Sequence, residues 1–109
     1  QGPQEEKTDT LSFPGLTVSL SQYECHYEGK LIEMPPKELE VLYFLASHAN
    51  QVFTREQLLE QVWGFDFFGD SRTVDVHIKR LREKLPECEK YGWMIRTVWG
   101  VGYKFEVRA

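Results

Sequence analysis

The segment RTVDVHIKRLREKL, residues 72–85, most constrains how this chain can fold, because its core apolar residues fall on one narrow stripe. With about 100° between successive residues of a helix, Val74, Ile78, Leu81 and Leu85 share an arc of roughly 60°. Pro86 stops the helix, and Asp70 or Ser71 is placed to cap its start. A stripe so thin must dock on a body folded from the rest of the chain. The remaining surface then faces water, with Arg72, Thr73, Val76, Lys79, Arg80 and Glu83 on the far side and His77 and Arg82 on the flanks.

That body is legible on both sides of the helix. From Leu11 to Glu33, short apolar runs broken by Pro14-Gly15, Ser21-Gln22 and Glu28-Gly29 predict four short strands in an antiparallel meander, with Glu28-Gly29-Lys30 as a hairpin turn. After Pro35 and Pro36, Leu39, Leu42, Tyr43 and Ala46 recur at helical spacing. Val41, Phe44 and Leu45 make this helix apolar most of the way round, as befits a central buried one, and Asn50 suits its left-handed C-terminal position. Thr54-Arg55-Glu56-Gln57 fits a T-x-x-Q capping box and opens a second helix of about ten residues that ends at Gly64. The loop GFDFFGD follows, and some of its rings, Phe65, Phe67 and Phe68, must pack. Finally, WMIRTV and YKFEV alternate on either side of Trp99-Gly100-Val101-Gly102 as a hairpin.

With 109 residues, 41% hydrophobic and 14% aromatic, there is material for one core, assigned to residues 11–109. Residues 1–10, polar and aperiodic, are expected to be a disordered linker or a remnant of cloning. No apolar run reaches about eighteen residues and no export signal is present, so a cytoplasmic protein without a membrane partner is expected. Cys25 and Cys88, in a strand and a loop, lack a CxxC or Cys/His metal spacing and read as reduced thiols. His26, His48 and His77 are scattered, and no nucleophile and base stand at recognisable spacing; neither a metal, a cofactor nor a catalytic site is expected.

Charge is distributed more informatively than its net value of −4. Residues 1–70 carry four basic and twelve acidic side chains, a balance of −8, whereas residues 71–109 carry nine basic and five acidic ones, a balance of +4. Such asymmetry fits a single face that meets phosphate. Two readings of the 72–85 face compete. It can be a solvated surface knitted by pairs such as Arg72 with Asp75 or Lys79 with Glu83. Alternatively, Val76 amid Arg, Lys and Thr is sized to touch a thymine methyl in a major groove, with residues 54–63 as the short helix that orients such a reader. The terminal hairpin divides likewise: simple core and solvent faces, or a ribbon whose tip lies along a nucleic-acid backbone or in the minor groove, where Arg96, Lys104 and Arg108 add positive charge.

Three stretches carry a resemblance: WGFDFFGDSRTVDVHIKRLREKL at residues 63–85, TVWGVGYKF at 97–105, and KELEVLYFLASHANQVFTREQLLEQVWG from Lys37 to Gly64. Together they resemble the OmpR/PhoB family, the winged-helix effector domains of two-component response regulators, across nearly the whole chain from Leu11. The resemblance implies an α+β winged helix-turn-helix fold with an N-terminal four-stranded antiparallel sheet, three helices and a C-terminal β-hairpin wing. It implies that Thr73, Val76, Lys79 and Arg80 face the bases, with Arg80 as the main reader, and that Trp63, Arg72, His77, Arg82, Thr97 and Tyr103 touch phosphate or sugar. Arg96, Trp99 and Lys104 fall on the wing, and Phe65, Phe67 and Phe68 on a loop offered to RNA polymerase. Partners implied are double-stranded DNA, usually as direct repeats bound head to tail, and a phosphorylated receiver domain that drives pairing. No receiver is present in this chain, so the module is expected to be monomeric alone and dimeric on DNA.

Two positions depart from the family pattern. Where the family commonly places Arg at the wing tip, this chain has Trp99, which points to stacking on sugar or to a packed tip. Where the first helix often opens with Thr-Pro, this chain has Pro35-Pro36, and the missing side-chain cap should cost about 1 kcal/mol. Trp99 together with FFGD is most similar to the ResD/SrrA respiratory subgroup of Gram-positive regulators. The competing function is a winged helix used for protein contacts through Phe65, Phe67 and Phe68.

Overall fold

Alternating apolar residues and tight turns build the N-terminal part. The computed structural model describes residues 10–65, 67 and 69–108. Strands β1 (Thr10–Phe13), β2 (Leu16–Ser19), β3 (Glu24–Tyr27) and β4 (Lys30–Ile32) form an antiparallel sheet in the order β1-β2-β3-β4. The four strands and the Glu28-Gly29 turn are as expected; both turn residues have positive φ, 55° and 82°, as a two-residue hairpin with primed geometry requires. Folding starts one residue earlier than expected, since Thr10 already pairs with Ser19. The disorder expected of residues 1–9 lies outside the described residues.

Helix α1 (Pro36–Ser47) follows, with Pro35 at its N-cap and no side-chain cap bond. Leu39, Val41, Leu42, Leu45 and Ala46 are buried, and Asn50 takes a positive φ of 69° just beyond the helix. Asn50 also docks the chain end, because its N–H donates to the Phe105 carbonyl at 2.7 Å and its side-chain oxygen accepts from the Val107 N–H at 2.8 Å. Strand β5 (Phe53–Thr54), absent from the sequence reading, leads into α2 (Arg55–Leu58). The capping box is present in both directions, with Thr54 Oγ1 accepting from Gln57 N at 3.0 Å and Gln57 Oε1 accepting from Thr54 N at 2.8 Å. From Leu59 to Trp63 the helix widens into a π turn before Gly64, so the second helix has the expected length but not a uniform winding.

Helix α3 (Arg72–Lys84) packs against α1 and α2, with Val74, Ile78 and Leu81 buried and Leu85 buried just past its end. A 3-10 turn (Cys88–Tyr91) connects it to β6 (Trp93–Val98) and β7 (Gly102–Val107). These form a second sheet, order β5-β7-β6. Gly102 is required there: a Cβ would sit 1.9 Å from the Phe53 carbonyl oxygen, so only glycine lets β7 approach β5. Trp93 and Phe105 stack at 5.2 Å, Phe13 leans on Phe105 at 4.8 Å, and the Trp93 indole N–H donates to the Pro14 carbonyl at 2.8 Å. The hairpin is thus fastened to the N-terminal sheet by its base, leaving its tip outward.

Cys25 is buried in β3, where burial pushes its thiol up to about 11. Cys88 sits in the 3-10 turn rather than a loop, half-buried, its thiol also raised by burial. Neither is in a disulfide. Among the described residues no helix is long and apolar enough to cross a membrane.

The sequence reading missed one core feature. Glu38, in the first turn of α1, is fully buried and pairs with Lys84 at the end of α3, while its Oε2 has no hydrogen-bond partner among the described residues. A buried carboxylate left without its cation is costly. Lys84→Met should therefore destabilise the fold by about 1 to 3 kcal/mol in urea unfolding, with Glu38→Gln added to it recovering part of the loss. An unchanged urea midpoint for Lys84→Met would contradict the structural weight given to this pair.

Candidate nucleic-acid interface

The start of α3 is set by a carboxylate. Of the two expected caps, Ser71 holds the N-cap position but makes no side-chain cap bond, and it is Asp70, one residue earlier, whose Oδ1 accepts the Arg72 backbone N–H at 2.9 Å. The same carboxylate also takes the Arg72 guanidinium, at 2.8 Å from Nε and 2.5 Å from Nη2. These bonds, the side-chain one first, hold the Asp70 carboxyl down at about 2. The charged form therefore favours the folded state; its contribution is complete above the ordinary value of 3.8 and is lost as pH falls through about 2.

With Val74, Ile78 and Leu81 buried, the helix turns Arg72, Val76, Lys79, Arg80, Arg82 and Glu83 outward and leaves Thr73, Asp75 and His77 half-buried. Val76 is 43% exposed, an apolar spot among cations. The intrahelical pairs that a merely solvated face would use do not form. Arg72 turns to Asp70, Asp75 turns to Arg55 and Tyr103, and Lys79, Arg80 and Glu83 make no ion pair among the described residues. Lys79 and Arg80, in no ion pair among the described residues, consequently project positive charge beside Val76.

Trp63 closes the π turn with its ring edge-on to His77 at 5.0 Å and 6.0 Å from Phe67. His77 Nδ1 lies 2.8 Å from the Thr73 carbonyl, which can only accept, so Nδ1 carries the hydrogen. In the loop, Phe67 packs toward Trp63, Phe65 is 74% exposed, and Phe68 lies outside the described residues.

On the hairpin, Glu106 gathers Arg96, Lys104 and Arg108 at 3.3, 3.6 and 3.3 Å. Burial alone would raise the Glu106 carboxyl, but the Arg108 hydrogen bond and the Arg96 and Lys104 charges bring it below its ordinary value. Wing charge is accordingly muted. The tip is not packed, contrary to one of the two expectations: Gly100 turns the chain with φ of 80°, and Trp99 is 88% exposed among the described residues. An open cleft of about 390 Å³ separates the tip from α3 and the start of α2, with Arg55, Asp75, Thr97, Trp99 and Tyr103 among its walls.

Besides Arg72 and His77, three more of the expected backbone-contacting groups, Arg82, Thr97 and Tyr103, are engaged within the protein. Arg82 donates from Nε and Nη2 to the Ile95 carbonyl at 3.1 and 3.0 Å, and from Nη2 to Thr97 Oγ1 at 2.7 Å. The Tyr103 hydroxyl donates to Asp75 Oδ1 at 2.5 Å; burial first, then this bond, pushes its phenol up to about 12. The sequence offered Asp75 only as an intrahelical partner for Arg72, and marked Arg55 only through the capping box. Among the described residues, no group of three or more His, Cys, Asp or Glu is placed to hold a metal ion.

Residues 29–105 match the family model described as transcriptional regulatory protein, C terminal. The chain is 47% identical over 102 residues to the transcriptional regulatory protein SrrA of Staphylococcus aureus, covering 93% of this chain and 42% of SrrA. It thus spans about two fifths of that relative. Among solved structures, the DNA-binding domain of CpxR from E. coli superposes with a TM-score of 0.80 at 32% identity, covering 92% of this chain and 98% of that one. The Klebsiella pneumoniae RstA DNA-binding domain in complex with RstA box gives 0.75 at 34% identity, with coverages of 89% and 96%. DrrB, an OmpR/PhoB homologue from Thermotoga maritima, gives 0.78 at 38% identity over 94% of this chain and 46% of its own.

Arg72→Ala should shift the Asp70 midpoint part of the way from about 2 toward 3.8 in a carboxyl-detected NMR titration. An unmoved midpoint contradicts the pairing.

Proposed function

Since this chain belongs to the family of transcriptional regulatory protein C-terminal domains, of OmpR/PhoB type, we propose that it binds double-stranded DNA with sequence preference by laying the outer face of α3 in a major groove. One observation carries the reading: α3 buries a complete apolar face while Lys79 and Arg80, without ion-pair partners among the described residues, flank an exposed Val76. The RstA domain, similar over most of both chains and described with its DNA box, supports the same use of the fold here.

In this reading Arg80 and Lys79 reach base edges, with Thr73 and Val76 beside them. Trp63, Arg72, His77, Thr97 and Tyr103 line the flanking backbone, and Arg82 stands at the junction of helix and hairpin. Trp99, free at the tip, meets sugar with its ring face; Arg96 and Lys104, tempered by Glu106, add modest attraction. The chain acts as the output part of a cytoplasmic two-component response regulator, its receiver domain belonging to the remainder of a longer protein. It is monomeric alone and pairs head to tail on direct repeats. The loop around Phe65 and Phe67 faces RNA polymerase; Phe65 favours this, being exposed without any role in the core.

Duplexes selected from a random pool test the proposal. Arg80→Ala should lower the preference for a selected site over random DNA by about 1 to 3 kcal/mol, while leaving non-specific binding nearly intact. Equal loss on both duplexes contradicts base reading by Arg80. Binding of the unaltered chain should weaken log-linearly with salt, by about 0.9 per phosphate contacted; a flat response favours a protein partner instead. In the intact regulator, replacing Phe65 and Phe67 together by Ala should spare DNA binding and reduce transcription in vitro. Undiminished transcription rules the loop out as a polymerase contact.

A further inference from the structure

The cations and hydroxyls between α3 and the hairpin form two clamps that converge on one rung of the sheet. Asp75 accepts from two directions: Arg55 Nη1 at 3.0 Å from the start of α2, and the Tyr103 hydroxyl at 2.5 Å from β7. Seven residues further along α3, about 10 Å by helical rise, Arg82 holds β6 through the Ile95 carbonyl and Thr97 Oγ1, with its guanidinium 5.8 Å from the centre of the Tyr103 ring. Thr97 and Tyr103 are direct cross-strand partners, and Tyr103 also pairs with Phe53 of β5. Beyond this rung only Val98 opposite Gly102 and the turn remain, so the tip is a short cantilever whose direction the rung decides.

We propose that Asp75 and Arg82 are positioning residues that lock the hairpin to α3, so that helix and wing meet a duplex as one rigid unit. The inference rests on the DNA-binding reading above. Three features favour it. Val76, Lys79 and Arg80 lie between the two clamp positions on the same helix, so the clamps join the reading face directly to the strands that carry Trp99. Arg82 points its Nε and Nη2 at protein acceptors rather than at solvent. Asp75 and Tyr103 line the cleft beneath the tip, so loosening them frees the wing to swing across the space a duplex backbone would occupy.

The clamp makes a prediction opposite in sign to simple charge. Asp75→Ala removes a negative charge close to DNA and by electrostatics alone should tighten binding. As a positioning residue it should weaken binding to a selected duplex roughly ten-fold, the order expected for losing a charge-assisted contact. Arg82→Lys retains the charge but not the fork, and should weaken binding similarly with an unchanged salt slope. Both variants, and the unaltered chain, are measured on the full selected duplex and on one shortened from the wing side until hydroxyl-radical protection under the hairpin is gone. The clamp predicts that the deficits disappear on the shortened duplex. Circular dichroism at the assay temperature confirms folding, and if Asp75→Ala is unfolded, Arg82→Lys carries the test. Full-strength binding by either folded variant on the full duplex, or a deficit that persists undiminished on the shortened one, overturns the clamp alone. An unaltered chain without sequence preference overturns the DNA reading and the clamp with it.

Discussion

Docking of one thin apolar stripe decides what the rest of this molecule can present. Val74, Ile78, Leu81 and Leu85 are at most 2% exposed, and each such side chain contributes about 1.5 to 3 kcal/mol on leaving water. Exposed ion pairs contribute about 1 kcal/mol or less. Helix rotation is therefore set by the stripe, and the polar side chains accept whatever direction it leaves them. Val76, Lys79 and Arg80 are outward because Val74 and Ile78 are inward. The Glu38–Lys84 pair ties the far end of α3 to α1, and Asp70 fastens its beginning.

Features governed by local chemistry were legible in the sequence. The four N-terminal strands, the capping box at Thr54 and Gln57, the end of α3 at Pro86 and the two faces of that helix all follow from periodicity and from residues with strong positional preferences. Long-range pairing was not legible. β5 has two residues, too few for a pattern, and exists because Gly102 lets β7 close on Phe53. The π turn preserves the composition of an ordinary helix. Glu38 reads as a surface residue near a helix start until Lys84 is brought to it from 46 positions away. For the interface, the outward face was legible but the partners of its flanking groups were not: Asp75 seemed a match for Arg72 within the helix, yet Arg55 and Tyr103 claim it through tertiary structure.

The arrangement also sorts the cations of the basic C-terminal third by use. Lys84 neutralises a core carboxylate, Arg82 braces the hairpin, and Arg96, Lys104 and Arg108 share Glu106. Lys79 and Arg80 are left to act outward. A net count of charge overstates the attraction this face exerts on a polyanion and understates how sharply it is focused. The apolar groups placed beside it, Val76 on the helix and Trp99 on the hairpin, supply contacts that salt does not screen.

The central claim concerns which groove meets the outer face of α3, and dimethyl sulfate reports on it directly, since it methylates guanine N7 in the major groove and adenine N3 in the minor. On a selected duplex, bound chain should shield guanine N7 at the core of the site, because that atom and its neighbouring O6 are what an arginine fork engages. Unprotected N7 atoms throughout the bound region, with shielding confined to adenine N3, would contradict the account.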